Sequence, residues 1–275
     1  MCGRYASFRD AQDLADAFAV APPDVADDAR GLPPSWNVAP TDPVRIVVER
    51  APKDATADAE PVREPVRSLR LARWGLVPGW AKDPSVGSRM INARVETLTT
   101  KPAFRRAAAA RRCLVPAEGY YEWQALPEPP GQAGGRRRPR KQPFWIHPAD
   151  GGPLAFAGLY EFWRDPSRDD DDDPHRWLVT MTVVTGGAPT DDPALAEIHD
   201  RQPVILGPDE WADWLDPDRT DPDDVMAVLR RAVGAPRGLV ATPVSTAVSS
   251  VANDGPYLLE PVELDVPVTL DLGLG

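Results

Sequence analysis

The 275-residue chain carries 31 Lys/Arg against 42 Asp/Glu, a net charge of −11, with 42% hydrophobic and 27% charged residues. A chain of this length and balance can bury a sizeable core, and no apolar run approaches the roughly 18 residues of a membrane helix. The opening Met1-Cys2-Gly3-Arg4-Tyr5 lacks the apolar stretch of a secretory signal, which makes the cytoplasm the expected compartment.

Two cysteines, Cys2 and Cys113, and three histidines, His147, His175 and His199, stand at no metal-ligand spacing. Neither a metal nor a cofactor is expected, and a Cys2–Cys113 disulfide is disfavoured in a reducing compartment. The acidity taken alone argues against nucleic acid, but it is uneven. Residues 101–141 hold ten Lys/Arg against three Glu, a local +7 that leaves −18 on the rest. A local basic patch binds phosphates even on an acidic protein, although a merely solvated surface fits the charge equally well.

In chain order, residues 7–20 read as a helix capped by Ser7, with Ala11, Leu14, Ala15 and Phe18 on one face. Residues 23–43 read as a Pro- and Asp-rich loop containing Gly31, followed by a strand at Val44–Glu49 and a polar surface excursion at 51–65. A strand is predicted near 68–77, then a loop leading to Met90–Glu96, then a helix opened by Thr100 and Pro102 and running to Arg112. Cys113–Trp123 reads as a buried strand interrupted by Pro116 and Gly119. Residues 125–141 read as a basic loop and Asp169–Asp173 as a solvated loop tip. Strands are expected near 142–148, 154–163 and 176–185, helices at 208–215 and 222–233, and short strands and turns beyond. Many short strands with scattered helices imply an α+β fold with a curled, barrel-like mixed sheet and flanking helices, in one domain over 1–275, with inserted loops at about 125–141 and 165–175.

The first chemical signal is Cys2. A small residue at position 2 favours removal of the initiator Met, which would leave an α-amine and a thiol on adjacent carbons. The amine has an ordinary pKa of about 8, against about 10.4 for lysine, so roughly a tenth of it is unprotonated at neutral pH. Such an amine condenses with aldehydes, and the neighbouring thiol can then close a five-membered ring. Glu122, flanked by aromatics in Gly119-Tyr120-Tyr121-Glu122-Trp123, is a candidate proton shuttle; His199 beside Asp200 and Asn92 in a loop are weaker candidates. Each of these signals is weak by itself.

Taken in order, Met1–Tyr5, Trp36-Asn37-Val38-Ala39-Pro40, Arg73-Trp74-Gly75-Leu76-Val77-Pro78, Ile91-Asn92-Ala93-Arg94-Val95-Glu96-Thr97, Cys113–Ala117 with Gly119–Trp123, and Ile198-His199-Asp200-Arg201 resemble the SRAP family (SOS response-associated peptidase-like). Val248–Asn253 and Leu258–Val262 resemble its closing segment. The resemblance implies a single mixed α/β barrel-like domain, a monomer, that senses abasic sites in single-stranded DNA through a thiazolidine on Cys2. It assigns Asn92 to positioning the Cys2 amine, Glu122 to acid–base assistance and His199 to protonation of the sugar oxygen. Arg4, Asn37, Trp80, Arg94 and Arg201 match its DNA-contacting set. Abasic-site lyase activity and self-removal of Met1 are further implied activities.

Three other readings start from the same residues. A class II glutamine amidotransferase also opens on Cys-Gly, but its Asn-Arg-Gly and Gly-His-Asn-Gly strings are absent. A thiol peptidase would pair Cys2 with His199. A single-stranded DNA-binding module would hold DNA without any covalent bond.

Overall fold

The computed structural model describes residues 2–50, 65–126, 140–170, 172–173, 175–188, 193–233, 235 and 237–264. Apart from their edges, the surface excursion expected at 51–65 and the basic loop expected at 125–141 lie outside these residues. The strands are β1 (Tyr5–Ser7), β2 (Ser35–Val38), β3 (Pro43–Arg50), β4 (Val66–Trp74), β5 (Asn92–Arg94), β6 (Arg112–Ala117), β7 (Gly119–Ala125), β8 (Lys141–Pro148), β9 (Leu154–Arg164), β10 (Trp177–Gly187), β11 (Arg201–Pro203) and β12 (Leu239–Pro243). The α-helices are α1 (Ala11–Ala17), α2 (Asp27–Gly31), α3 (Arg105–Ala110), α4 (Pro193–Ile198), α5 (Pro208–Leu215) and α6 (Pro222–Ala232).

Five strands close on themselves in the order β10-β4-β3-β6-β9 and back to β10. The β10–β4 pair is parallel and the other four are antiparallel. Closure follows from strand parity. Val44, Ile46 and Val48 of β3 share one buried cluster with Trp74, Cys113, Val115, Phe156, Tyr160, Met181 and Val183, which fills the barrel. The opposite parity, including Val47, Leu69, Leu114, Leu159 and Val184, packs outward against Leu14, Phe18, Trp214, Val225 and Leu229 of the helices.

A second sheet, β12-β8-β7-β1-β2, adds Tyr5, Tyr120, Phe144 and Ile146 to the barrel cluster. Its other face carries Ala6 and Tyr121, which pack with Val244, Val248 and Leu258 of the C-terminal segment. The strands β5 and β11 both pair with the C-terminal half of β10, β5 through Val183↔Asn92 to Thr185↔Arg94 and β11 through Thr185↔Pro203 to Gly187↔Arg201.

Several elements differ from the sequence expectation for identifiable reasons. The first helix starts at Ala11, capped by Asp10, whose side chain accepts from the amides of Gln12 and Asp13; Ser7 belongs to β1 instead. The helix expected to reach Arg112 stops at Ala110, because Arg112 pairs with Leu159 in the barrel wall. Pro116 does not interrupt its strand. It stands opposite Ala155 in a non-hydrogen-bonded pair, the Ala155 carbonyl accepts from Leu206 N–H (2.9 Å), and β6 meets β3 at Leu114, so its missing N–H leaves no ladder partner unserved. The break falls at Glu118, where the chain leaves the barrel for the second sheet. The loops expected at 23–43 and before Glu96 contain β2 and β5, strands of four and three residues held by tertiary pairing.

Two buried arginines tie helices to the barrel. Arg112 donates from Nε to Trp214 O (2.6 Å) and from Nη1 to Ala108 O (2.7 Å) and Ala109 O (2.8 Å), and Nη2 bonds Asp216 O. It thereby places one positive charge at the C-terminal ends of both α3 and α5, where the helix dipoles favour it. Arg45 likewise bonds Ala29 O (2.8 Å) and Leu32 O (2.5 Å) at the end of α2. Replacing Arg112 by Ala leaves the buried Trp214 and Ala108 carbonyls without this donor, at about 1–3 kcal/mol each when fully unsatisfied, and removes the part-buried bonds to Ala109 and Asp216 as well. The Arg112→Ala protein is expected to lose at least about 3 kcal/mol of unfolding free energy in urea denaturation, and Arg112→Lys to recover only part of it.

Candidate active site

The N-terminal segment runs into β1, between β2 and β7. The pairing Tyr5↔Tyr120, continued by Tyr121 N–H donating to Arg4 O (3.0 Å), carries Gly3 and Cys2 alongside Glu122 and Trp123. Cys2 is fully buried. From the barrel side, Asn92 at the start of β5 donates from Nδ2 to the carbonyl oxygen of Cys2 at 2.7 Å. Its Oδ1 is buried and accepts from no described group.

Glu122 lies on β7 and is 2% exposed. Burial pushes its carboxyl up to about 7. His199 follows α4, whose Leu195 and Ile198 are buried in the cluster that holds Cys2. Its Nε2 lies 3.9 Å from Glu122 Oε2. Two groups compete for the other ring nitrogen. Arg201 N–H donates to Nδ1 at 3.0 Å, and Asp200 Oδ1 lies 2.9 Å from it. A backbone N–H can only donate, so in the neutral ring Nδ1 accepts and the proton sits on Nε2, facing Glu122; in the charged ring Nδ1–H turns to Asp200. Burial lowers the His199 pKa below its ordinary value, which favours the neutral ring at pH 7. Burial first, and the Glu122 carboxylate second, raise the Cys2 thiol, so it stays protonated at neutral pH.

Cys2, Asn92, Glu122 and His199, separated by up to 197 positions in sequence, therefore meet at one place where the two sheets adjoin. The residues expected to face DNA divide into two groups. Arg94 is exposed, and Trp80 is 64% exposed on the loop after β4, whereas Trp74 is fully buried with its indole N–H on Ile91 O (2.9 Å). That loop is shaped by Gly75, at φ 118°, where a Cβ would lie 2.5 Å from Gly87 O. Arg4, Asn37 and Arg201 are engaged within the protein. Arg4 Nη1 donates to Asn37 Oδ1 (2.7 Å) and Val248 O (2.8 Å). Asn37, 4% exposed, donates to Ser250 O (3.0 Å) and Asn253 O (2.6 Å), so it clamps the C-terminal segment and supports Arg4 rather than presenting its own amide outward.

Three further groups at the site were not singled out from sequence. Thr185 shares the parity of Val183 on β10, and its buried hydroxyl has no hydrogen-bond partner among the described groups. Lys141, at the start of β8, acts electrostatically on both Glu122 and His199. Glu96 holds the Arg201 guanidinium. Strand parity is the signal that reaches Thr185, and only once β10 is known to border the site. Among the described residues, no three His, Cys, Asp or Glu side chains form a group that could hold a metal ion, and no helix is long and apolar enough to cross a membrane.

Residues 1–251 match the family model for SOS response associated peptidase (SRAP). The abasic site processing protein YoqW of Bacillus subtilis is 34% identical over 260 residues, 94% of this chain and 99% of its own length. The abasic site processing protein YedK of Escherichia coli is 31% identical over 267 residues, 95% of this chain and 100% of its own. The abasic site processing protein HMCES of Gallus gallus is 33% identical over 257 residues, 85% of this chain and 68% of its own. A solved structure from Bacteroides thetaiotaomicron, 20% identical, shares the fold with a TM-score of 0.68 over 95% of this chain and 100% of that one. On the family match and these relatives, the chain belongs to the SRAP family.

Proposed function

We propose that this protein captures abasic sites in single-stranded DNA as a covalent adduct on Cys2, once Met1 has been removed. The observation that carries the reading is the convergence of Cys2, Asn92, Glu122 and His199, with Asn92 anchored on the Cys2 carbonyl while its Oδ1 remains buried without a described donor. That acceptor suits the α-amine that Met1 removal would expose one residue-length away. The relatives' names, abasic site processing protein, point to the same substrate.

The chemistry follows from the protonation states. A buried, protonated thiol is a poor first nucleophile, which leaves the α-amine to attack the aldehyde carbon of the ring-opened sugar. The resulting carbinolamine loses water to give an imine, and Glu122, held near pKa 7, can donate the proton that the departing water needs. The Cys2 sulfur then adds to the imine carbon, its proton passes to the nitrogen, and a thiazolidine closes. The sum is aldehyde plus aminothiol giving thiazolidine plus one water. His199, with its ring proton on Nε2, can serve the sugar oxygen on the same side. Arg94 supplies a phosphate ligand and Trp80 a stacking face for an unpaired base.

The N-terminus provides the first test. Cys2→Ala keeps the amine but cannot close the ring, so it is expected to give at most a borohydride-trappable imine, or strand cleavage by β-elimination. A protein with Met1 retained, verified by mass spectrometry, should give neither. A denaturation-resistant adduct from the blocked protein would instead indicate a thiol-only reaction.

The pH profile provides the second. The reaction needs a free amine, favoured above about pH 8, and a protonated Glu122, lost above about 7. Adduct formation is therefore expected to follow a bell with its maximum between about pH 7 and 8. Glu122→Gln should slow it by roughly 10²–10⁴-fold at the optimum, less where His199 or solvent substitutes, and remove the alkaline limb governed by the carboxyl.

DNA binding provides the third. Arg94→Ala should weaken binding to single-stranded DNA of any sequence and make its salt dependence shallower, by about 0.7 in the slope of log K against log salt. Trp80→Ala should cost about 1–3 kcal/mol with little change in that slope. Equilibrium titrations at several salt concentrations separate the two.

A further inference from the structure

Glu96 lies just beyond β5, four residues after Asn92, and its carboxylate is 52% exposed. Arg201, at the start of β11, is 13% exposed. Arg201 Nη1 donates to Glu96 Oε1 at 2.9 Å and Nη2 to Glu96 Oε2 at 3.1 Å, an end-on bidentate pair. Nη2 also donates to Thr185 O at 2.7 Å. Three of the five guanidinium N–H groups are thus used within the protein, and the plane of the fork is set. The backbone N–H of the same arginine donates to Nδ1 of His199 and fixes which face of the ring carries the proton. Arg201 holds the Glu96 carboxyl below the usual carboxylate range, so the pair is ionised at neutral pH.

We infer that Glu96 is a positioning residue: by clamping the Arg201 guanidinium it joins the Asn92 strand to the His199 turn, holds the His199 ring in its Nε2–H form toward Glu122, and partly neutralises an arginine that pairs with β10 two positions from the partner of the exposed Arg94. This deepens the abasic-site reading and rests on it only where adduct chemistry is concerned. The two consequences of removing the clamp have opposite signs. Arg201 gains charge available to a phosphate, while the His199 turn loses its tether. A residue that merely stabilises the fold would weaken both binding and chemistry, and an idle surface carboxylate would change neither.

The test compares wild type with Glu96→Gln, whose half-exposed site makes folding a small concern, checked by thermal melting. Undamaged single-stranded DNA is expected to bind Glu96→Gln more tightly, with a slope of log K against log salt steeper by up to about 0.7. Adduct formation at saturating abasic DNA is expected to fall about tenfold, a part of the roughly 10²–10⁴ that positioned proton transfer supplies. Imidazole ¹⁵N shifts of His199 are expected to show the Nε2–H form dominant in wild type and a more even tautomer mixture in Glu96→Gln. Glu122, Asp200, Lys141 and the N-terminal amine, which also act on that ring, are unchanged in the variant. Tighter binding with unchanged tautomers and rate would overturn the positioning role, as would a parallel loss of binding and rate at an undiminished melting temperature. If wild type forms no adduct, the abasic reading fails by itself, and the tautomer ratio and salt slope still decide the role of Glu96.

Discussion

The site depends on one hydrogen bond between the two sheets, from Asn92 Nδ2 to the carbonyl oxygen of Cys2. The second sheet brings Cys2, just ahead of β1, alongside Glu122 of β7, and the barrel brings Asn92, Arg94 and Arg201 along β10. Neither sheet holds a complete set. Cys2 lies ahead of β1, where a chain end ordinarily frays, and its carbonyl would otherwise need water. The Asn92 amide satisfies that carbonyl in a dry place and so fixes the residue whose neighbouring nitrogen and sulfur are proposed to react.

Burial then sets the protonation states together. It raises the thiol of Cys2, brings the Glu122 carboxyl to about 7 and lowers the imidazole of His199. At neutral pH the three groups carry little net charge, although the chain as a whole carries −11. A carboxyl near 7 can give a proton and take it back, which suits the proposed condensation and ring closure better than a permanent carboxylate would. The same burial works against a reading in which a Cys2 thiolate is the first nucleophile, because that thiolate would have to form in the core beside a carboxylate.

The arginines show how one residue type is divided between support and surface. Arg45 and Arg112 have their guanidinium groups on backbone carbonyls at helix ends, Arg4 sits on Asn37 and Val248, and Arg201 sits on Glu96 and Thr185. Arg94, by contrast, is exposed. Counting basic residues along 101–141 therefore overstates what is offered to a phosphate, since Arg112 faces the interior and Arg111 is paired with Glu161 at 2.7 Å.

Much of this is legible in the sequence because it rests on local rules or on ordered motifs. Apolar runs mark β3, β9 and β10 as strands, and the helices expected at 208–215 and 222–233 are α5 and α6. The order of the motifs alone brings Cys2, Asn92, Glu122 and His199 into one reading. What the sequence leaves open is decided by pairings between distant segments. Asp10 rather than Ser7 caps the first helix, because Tyr5–Ser7 is drawn into a sheet with β2 and β7. Asn92–Arg94 becomes a strand only because β10 lies beside it. Asn37, expected to face DNA, is buried as a clamp on carbonyls more than 200 positions away. A side chain's chemical type is written locally, but whether its donors meet solvent, a ligand or a backbone carbonyl depends on which chain segment packs against it, and that is a property of the folded whole.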